Sequence, residues 1–276
     1  MTPIDIPLDL QIEILLRLPV KSLFRFRCVS KLWSSIITSR DFKNRHMNIA
    51  TSSAPPRLLI AFADFDGSKL LLVSSPNPIA SSSSFSSSPF CVPYRDLSLV
   101  KLQGKKVYNT SRGLICVGAG FKDVAICNPS TRQLHTFPEF KFKDSRHFIP
   151  RPNYVFGYDP VDDQYKVLAV HLSSRSENKV LASGKEEAWR EAPCVACPHF
   201  PRTWGLYMNG TVYYRAKAID SPDRGSIIMS FDVRLETFNM INIPSKVLSL
   251  MGYVNMGDAY RLFTDKALIN YREKLV

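Results

Sequence analysis

Eleven residues, Leu8 to Leu18, stand between Pro7 and Pro19 with no glycine or proline among them, and seven of the eleven are leucine or isoleucine. Proline is tolerated in the first turn of a helix and stops one that reaches it, so the stretch predicts a single short helix. Plotted at about 100° per residue, Leu8, Ile12, Leu15 and Leu16 fall on one arc. Leu10, Ile14 and Leu18 fall on a second, roughly opposite arc, with Asp9, Glu13 and Arg17 between the two. A second short helix fits Val20–Arg27, and a third starts at Ser30, a good N-cap, and runs through Ile37. A three-helix unit of about 40 residues has a core for only one of the two arcs, and units of that size rarely fold well alone. A spare apolar arc therefore predicts a covering surface, either a foreign protein or the rest of this chain.

Beyond residue 45 the pattern changes. Residues 46–56 read as a linker ending in Ala54-Pro55-Pro56, and residues 57–276 read as β-rich. Arg57–Phe65 and Lys69–Val73 flank Asp66-Gly67, a hairpin signal. The Ser/Pro tract 74–89 is too polar to order itself by burial and is expected to be a flexible insertion. Then an apolar strand, a tight polar turn and another strand recur. The turns are Asn128–Thr131, Asp159–Asp163, Asn209-Gly210 and Asp232–Glu236, each built of residues that suit turn geometry. The expected fold class is α+β and multi-domain: a small three-helix domain over 1–45, then an all-β, propeller-like but incomplete domain.

Composition excludes several functions. Apolar content of 45% and charged content of 22% are those of a globular chain. No run of about 18 apolar residues exists to span a bilayer. Asp5, Asp9 and Glu13 interrupt the N-terminal apolar stretch, so no secretory signal is expected and an intracellular location, cytoplasmic or nuclear, is. The six cysteines then read as reduced thiols. Cys194-Val195-Ala196-Cys197 is one C-x-x-C with no second pair, too few ligands for structural zinc, and no metal or other cofactor is expected. No nucleophile elbow, zinc-protease or P-loop pattern occurs, so no catalytic residues are assigned. Asp159, Asp162 and Asp163 serve turn geometry on this reading. The net charge of +12 is uneven: residues 101–151 hold ten basic and three acidic residues, and residues 1–50 hold eight and four.

Ile6-Pro7-Leu8-Asp9-Leu10, Glu13-Ile14-Leu15, Arg17–Leu23 and Arg25–Trp33 closely resemble the F-box of plant F-box proteins over nearly every position from 6 to 37. Downstream, Asn109–Cys116, Cys127–Arg132, Phe156–Pro160 with Tyr165-Lys166-Val167, and Ser230–Val233 with Glu236 and Phe238 resemble the F-box-associated domain of that family. Leu268–Leu275 resembles a further strand, with Glu273 where glycine is usual. Family members continue for several more strands, so this copy is expected to be truncated at the C-terminus.

The resemblance implies a non-catalytic receptor subunit of an SCF-type ubiquitin ligase. Its F-box would bind an SKP-type adaptor and, through it, a cullin, and its β domain would bind an unknown protein substrate. Pro7, Leu8, Leu10, Ile14, Leu15, Leu18, Pro19, Val29 and Trp33 are the expected contact or contact-shaping residues, each weighed against burial in the helical core. For Trp33 and Leu23 the two roles weigh equally. The substrate is expected to meet loops, Lys143–Asn153, Ser173–Glu187 and Ala216–Gly225. Two alternatives stand beside this reading. One is binding to nucleic acid or ribonucleoprotein through the basic 101–151 segment, disfavoured because no nucleic-acid module is visible there. The other is a decoy that occupies the adaptor without a substrate.

Overall fold

In the computed structural model, residues 6–53, 57–63, 70–76, 95–96, 105–118, 124–129, 131–140, 152–170, 178–184, 187–193, 198–219, 226–244, 246, 270–271 and 274–275 are described. By their contacts they form two units, one of residues 1–64 and 70–100, the other of residues 65–69 and 101–276.

In the first unit, proline sets the start of two helices. Pro7 and Pro19 are the N-cap residues of α1 (Leu8–Leu16) and α2 (Val20–Phe26), each in an extended conformation that the helix leaves behind. Ser30 caps α3 (Lys31–Thr38): its Oγ accepts the Trp33 N–H at 3.0 Å. The backbone N–H of Phe42 donates to Ser39 Oγ at 3.3 Å at the start of a fourth helix, α4 (Arg40–Ser53). The expected three-helix domain thus has four helices, and α4 runs through Ser53, across most of the segment read as a linker. Apolar periodicity could not reveal α4, because Phe42 is its buried anchor and its other ties are polar. His46 Nε2 lies 2.9 Å from the Leu18 carbonyl, and Arg45 pairs with Glu13 at 3.0 Å. The core of this bundle is Leu15, Leu16, Leu23, Ile37 and Phe42, with Ile12, Leu18, Phe26, Trp33 and Ile36 packed against it.

The same unit contains a small antiparallel sheet of β1 (Arg57–Ala63), β2 (Leu70–Pro76) and β3 (Arg95–Asp96), in that order. Phe62 stands opposite Leu71. The Asp66-Gly67 turn lies outside the described residues, as does all of the Ser/Pro tract beyond Pro76.

The second unit is built of antiparallel sheets whose strands follow chain order, the arrangement of propeller blades. The first sheet is β4 (Lys106–Ser111), β5 (Leu114–Gly118), β6 (Ala125–Asn128) and β7 (Gln133–Thr136). The second is β8 (Asn153–Asp159), β9 (Gln164–Val170), β10 (Lys179–Ala182) and β11 (Arg190–Glu191). The third has β12 (His199–Pro201) and β13 (Leu206–Met208) on one edge of β14 (Thr211–Ala218), then β15 (Ser226–Asp232) and β16 (Phe238–Asn242). A two-residue ladder joins β17 (Asn270–Tyr271) to β18 (Lys274–Leu275). The propeller-like fold stands, as a set of sheets that does not close among the described residues.

The second sheet is sandwiched. One face (Val155, Leu168, Val170, Val180) packs with Val212, Tyr214, Ile227 and Phe231 of the third sheet. The other face (Tyr154, Phe156, Val167, Leu181) packs with Tyr108, Cys116 and Ile126 of the first. Burial on both faces is why β8 is an unbroken buried run instead of an alternating one. It also explains β10, which falls within a stretch expected to be a substrate loop: Val180 and Leu181 are both buried, one on each side.

Hairpin turns of all three sheets meet at one end. Arg112 lies over the Tyr158 ring at 4.0 Å, Tyr207 donates from its hydroxyl to the Tyr158 carbonyl at 3.0 Å, and the Val233 N–H donates to the Gly210 carbonyl at 3.0 Å. Arg112, Arg132, Asp163, Asn209 and Glu236 all have positive φ in such turns. Asp159 and Asp232 serve turn geometry as expected: each Oδ1 accepts two backbone N–H groups, from Val161 and Asp162 and from Arg234 and Leu235.

Candidate functional site

The helical bundle buries one face of α1 and leaves the other uncovered. Ile12, Leu15 and Leu16 face the core, with Leu15 at 0% exposure. Leu10 and Ile14 point away, at 55% and 51% exposure. The two-arc pattern of the sequence therefore corresponds to a core face and a free face, with two displaced members. Leu8, which shares an arc with Ile12, Leu15 and Leu16, is exposed at the first helical position, and it is among the expected contact residues. Leu18, which shares an arc with Leu10 and Ile14, is half-buried against the core. It follows the C-cap Arg17, and its N–H bonds the Leu15 carbonyl three residues back, so helical periodicity no longer sets its direction.

Other apolar side chains of the bundle are exposed as well. Ile6 precedes α1, Val20 and Phe24 lie four apart on α2, Val29 lies in the α2–α3 connection at 62% exposure, and Leu32 is in the first turn of α3. Pro7 and Pro19 are exposed at the helix starts. Of these, Ile6, Val20, Phe24 and Leu32 were not singled out from the sequence. The signal was present: on a helix as short as α2 only Leu23 is buried, so its i, i+4 pair Val20 and Phe24 must point elsewhere. Arg27 stands over the Phe24 ring at 5.8 Å and brings positive charge to the edge of the surface.

Trp33 sits between the core and this surface. It is half-buried, edge-on to Phe26 at 5.3 Å, and its Nε1 donates to Gln11 Oε1 at 2.7 Å. Gln11 in turn donates from Nε2 to the Ile6 carbonyl at 2.7 Å. This relay holds the chain ahead of α1 against α3. Leu15, buried completely, can shape such a surface but cannot touch a partner. Leu23 is a core residue.

The two classes predict opposite stability effects. Leu15→Ala should lower the unfolding free energy of the full chain by about 2–5 kcal/mol, as buried leucine truncations do. Leu10→Ala should change it by no more than about 0.5 kcal/mol. Urea titrations followed by helical circular dichroism measure both.

Among the described residues no group of three or more His, Cys, Asp or Glu side chains is placed to hold a metal ion, and Cys194 and Cys197 lie outside them. Cys116 and Cys127 are free, buried thiols, with burial pushing both pKa values up. Among the described residues no helix is long and apolar enough to cross a membrane.

Comparison with known proteins places this arrangement. The F-box domain model matches residues 4–45, and the F-box associated beta propeller domain model matches residues 57–275. A putative F-box protein of Arabidopsis thaliana, At3g47150, is 53% identical over 99% of this chain and 68% of its own length. Another from the same plant, At3g52320, is 38% identical over 87% of the chain and 60% of its own length. The Arabidopsis F-box protein DOR is 38% identical over 90% and 64%. The chain belongs to the plant F-box proteins that carry an F-box-associated β-propeller domain.

Proposed function

We propose that this protein is a substrate-receptor subunit of an SCF-type ubiquitin ligase. The uncovered face of the helical bundle binds an SKP-type adaptor, which joins it to a cullin, and the β unit holds a protein substrate. The protein performs no chemistry itself; it places a substrate beside the catalytic machinery of its partners, and it does so inside the cell.

The observation that carries this reading is the pair Leu10 and Ile14 on α1, more than half exposed while their helix neighbours Leu15 and Leu16 are sealed. With Val20, Phe24, Val29 and Leu32 they make an apolar surface too rich for a free bundle, suited to the groove or helix face of another protein. Exposed Pro7 and Pro19 hold the helix ends rigid and reduce the entropy lost on docking.

The test is Leu10→Asp combined with Ile14→Asp. Both positions are exposed, so the full-length variant should keep its circular dichroism spectrum. Its capture by a purified SKP-type adaptor should fall to background. Capture at the unmodified level by a folded double variant would refute the proposal.

A further inference from the structure

The third sheet of the β unit is interrupted. Pro201 stands opposite Ala216 and Leu206 opposite Tyr213 on the same edge of β14, so four residues, Arg202–Gly205, stand against two. A bulge of this kind removes ladder hydrogen bonds, and those groups must be satisfied elsewhere when buried. Here dedicated contacts replace them. The Arg202 N–H donates to the Arg215 carbonyl at 2.7 Å. The Arg215 N–H donates to Thr203 Oγ1 at 2.9 Å, a hydroxyl standing in for a strand carbonyl. The Thr203 carbonyl accepts from Asn153 Nδ2 at 3.2 Å, across to the second sheet. Gly205 approaches β14 so closely that a Cβ there would stand 2.8 Å from Val212 Cγ1.

The bulge is therefore clamped on both sides of one residue, and that residue is Trp204. The residue is 36% exposed, its ring rests edge-on against Tyr108 at 5.3 Å, and Tyr108 rests edge-on against Tyr154 at 5.0 Å. Trp204, ordered this firmly, still keeps part of its surface exposed. It does present a large apolar side chain with little conformational entropy left to lose, the character of residues that dominate protein interfaces.

The charged residues of the two described stretches that hold Tyr108 and Trp204 have one sign. Lys105 and Lys106 lie just before Tyr108, Arg202 is two residues from Trp204, and Lys217 is opposite Phe200. The described stretches 105–118 and 198–219, which hold Tyr108 and Trp204, contain no acidic residue.

We infer that Trp204 is the anchor of a docking surface for an acidic protein segment that carries an apolar side chain. The inference rests on the reading of the β unit as the substrate-holding part and gives that substrate a chemical class.

The test uses the full chain and fluorescent probes read by anisotropy: a synthetic peptide of alternating glutamate and leucine, its lysine–leucine counterpart, and a single-stranded DNA oligonucleotide. The glutamate peptide should bind, and the lysine peptide should not. Trp204→Ala should weaken binding by at least about tenfold, as truncation of an interface anchor does. Arg202→Glu should weaken it as well, and it decides the matter alone if Trp204→Ala fails to fold. No binding of the glutamate peptide, equal binding of both peptides, or unchanged affinity in folded variants overturns the inference. So does a preference for the oligonucleotide that falls steeply with salt, the mark of phosphate contacts. The Leu10→Asp, Ile14→Asp protein separates the two proposals, since it should lose the adaptor while keeping the peptide.

Discussion

Replacing Lys166 with methionine should destabilise the β unit by about 3–5 kcal/mol, the effect of removing one partner from a buried charge group. Lys166 is buried and its ammonium has three oxygen neighbours: Glu236 Oε1 at 3.0 Å, the Arg234 carbonyl at 3.2 Å and Asp159 Oδ2 at 3.6 Å. Arg190 reaches the same Glu236 oxygen. One cation thus joins the β8–β9 hairpin of the second sheet to the β15–β16 turn of the third. Methionine fills the volume but leaves the buried Asp159 carboxylate without its cation and Glu236 with Arg190 alone. Urea unfolding at neutral pH reads the difference.

The pH dependence should change with it. Burial by itself pushes the pKa values of Asp159 and Glu236 up. For Asp159 the N–H groups of Val161 and Asp162, then Lys166, outweigh that burial; for Glu236 the hydrogen bonds from Arg190 and Lys166 do. Both carboxyls end below their ordinary values. A depressed acid contributes stability that is complete above its unfolded pKa and is lost as pH falls through the folded one. The natural protein should therefore hold its stability down to the ordinary carboxylate range and lose this contribution below it. Without Lys166 the folded pKa values rise toward the unfolded ones, so the variant starts lower and loses less on acidification. An unchanged acid limb in the variant would show that Lys166 does not hold these carboxylates.

Parts of this arrangement were legible in the residues and parts were not. Pro7, Pro19 and Ser30 act on the backbone next to them, so the first three helices start where those residues put them. The alternating turns and strands from residue 106 onward followed for the same reason: Asp159 and Asp232 satisfy N–H groups two and three residues ahead, a purely local requirement. The fourth helix was missed because its docking depends on Glu13 and the Leu18 carbonyl, far away in sequence. The free face of α1 was legible at Leu10 and Ile14, inside the helix, and the two-arc pattern breaks down at Leu8 and Leu18, where the helix begins and has ended. Trp204 carried no readable signal, since its display depends on Asn153, Thr203 and the approach of Gly205 to another strand. The turn Asp159–Asp163 was read correctly for its geometry, but the ion pair to Lys166 behind it belongs to tertiary structure.

Asn109 is the strongest instance of a motif residue whose work is done far from its neighbours, and Asn109→Ala should destabilise the β unit by about 2–5 kcal/mol, leaving two buried backbone groups unpaired. A register shift in β4 falls between Val107 and Asn109, and the buried Asn109 amide reaches the free edge of β8. Its Nδ2 donates to the Phe156 carbonyl at 2.7 Å, and its Oδ1 accepts the Phe156 N–H at 3.0 Å. The side-chain amide has the same donor and acceptor as a peptide unit, so it pairs with β8 as a strand residue would and joins the first sheet to the second. Asn109→Asp makes the comparison decisive. Aspartate keeps the acceptor for the Phe156 N–H but sets a second oxygen against the Phe156 carbonyl, so at neutral pH it should be at least as damaging as alanine. It should recover partially on acidification, when the protonated carboxyl regains a donor. If aspartate were tolerated at neutral pH, the amide would not be pairing with both groups of Phe156.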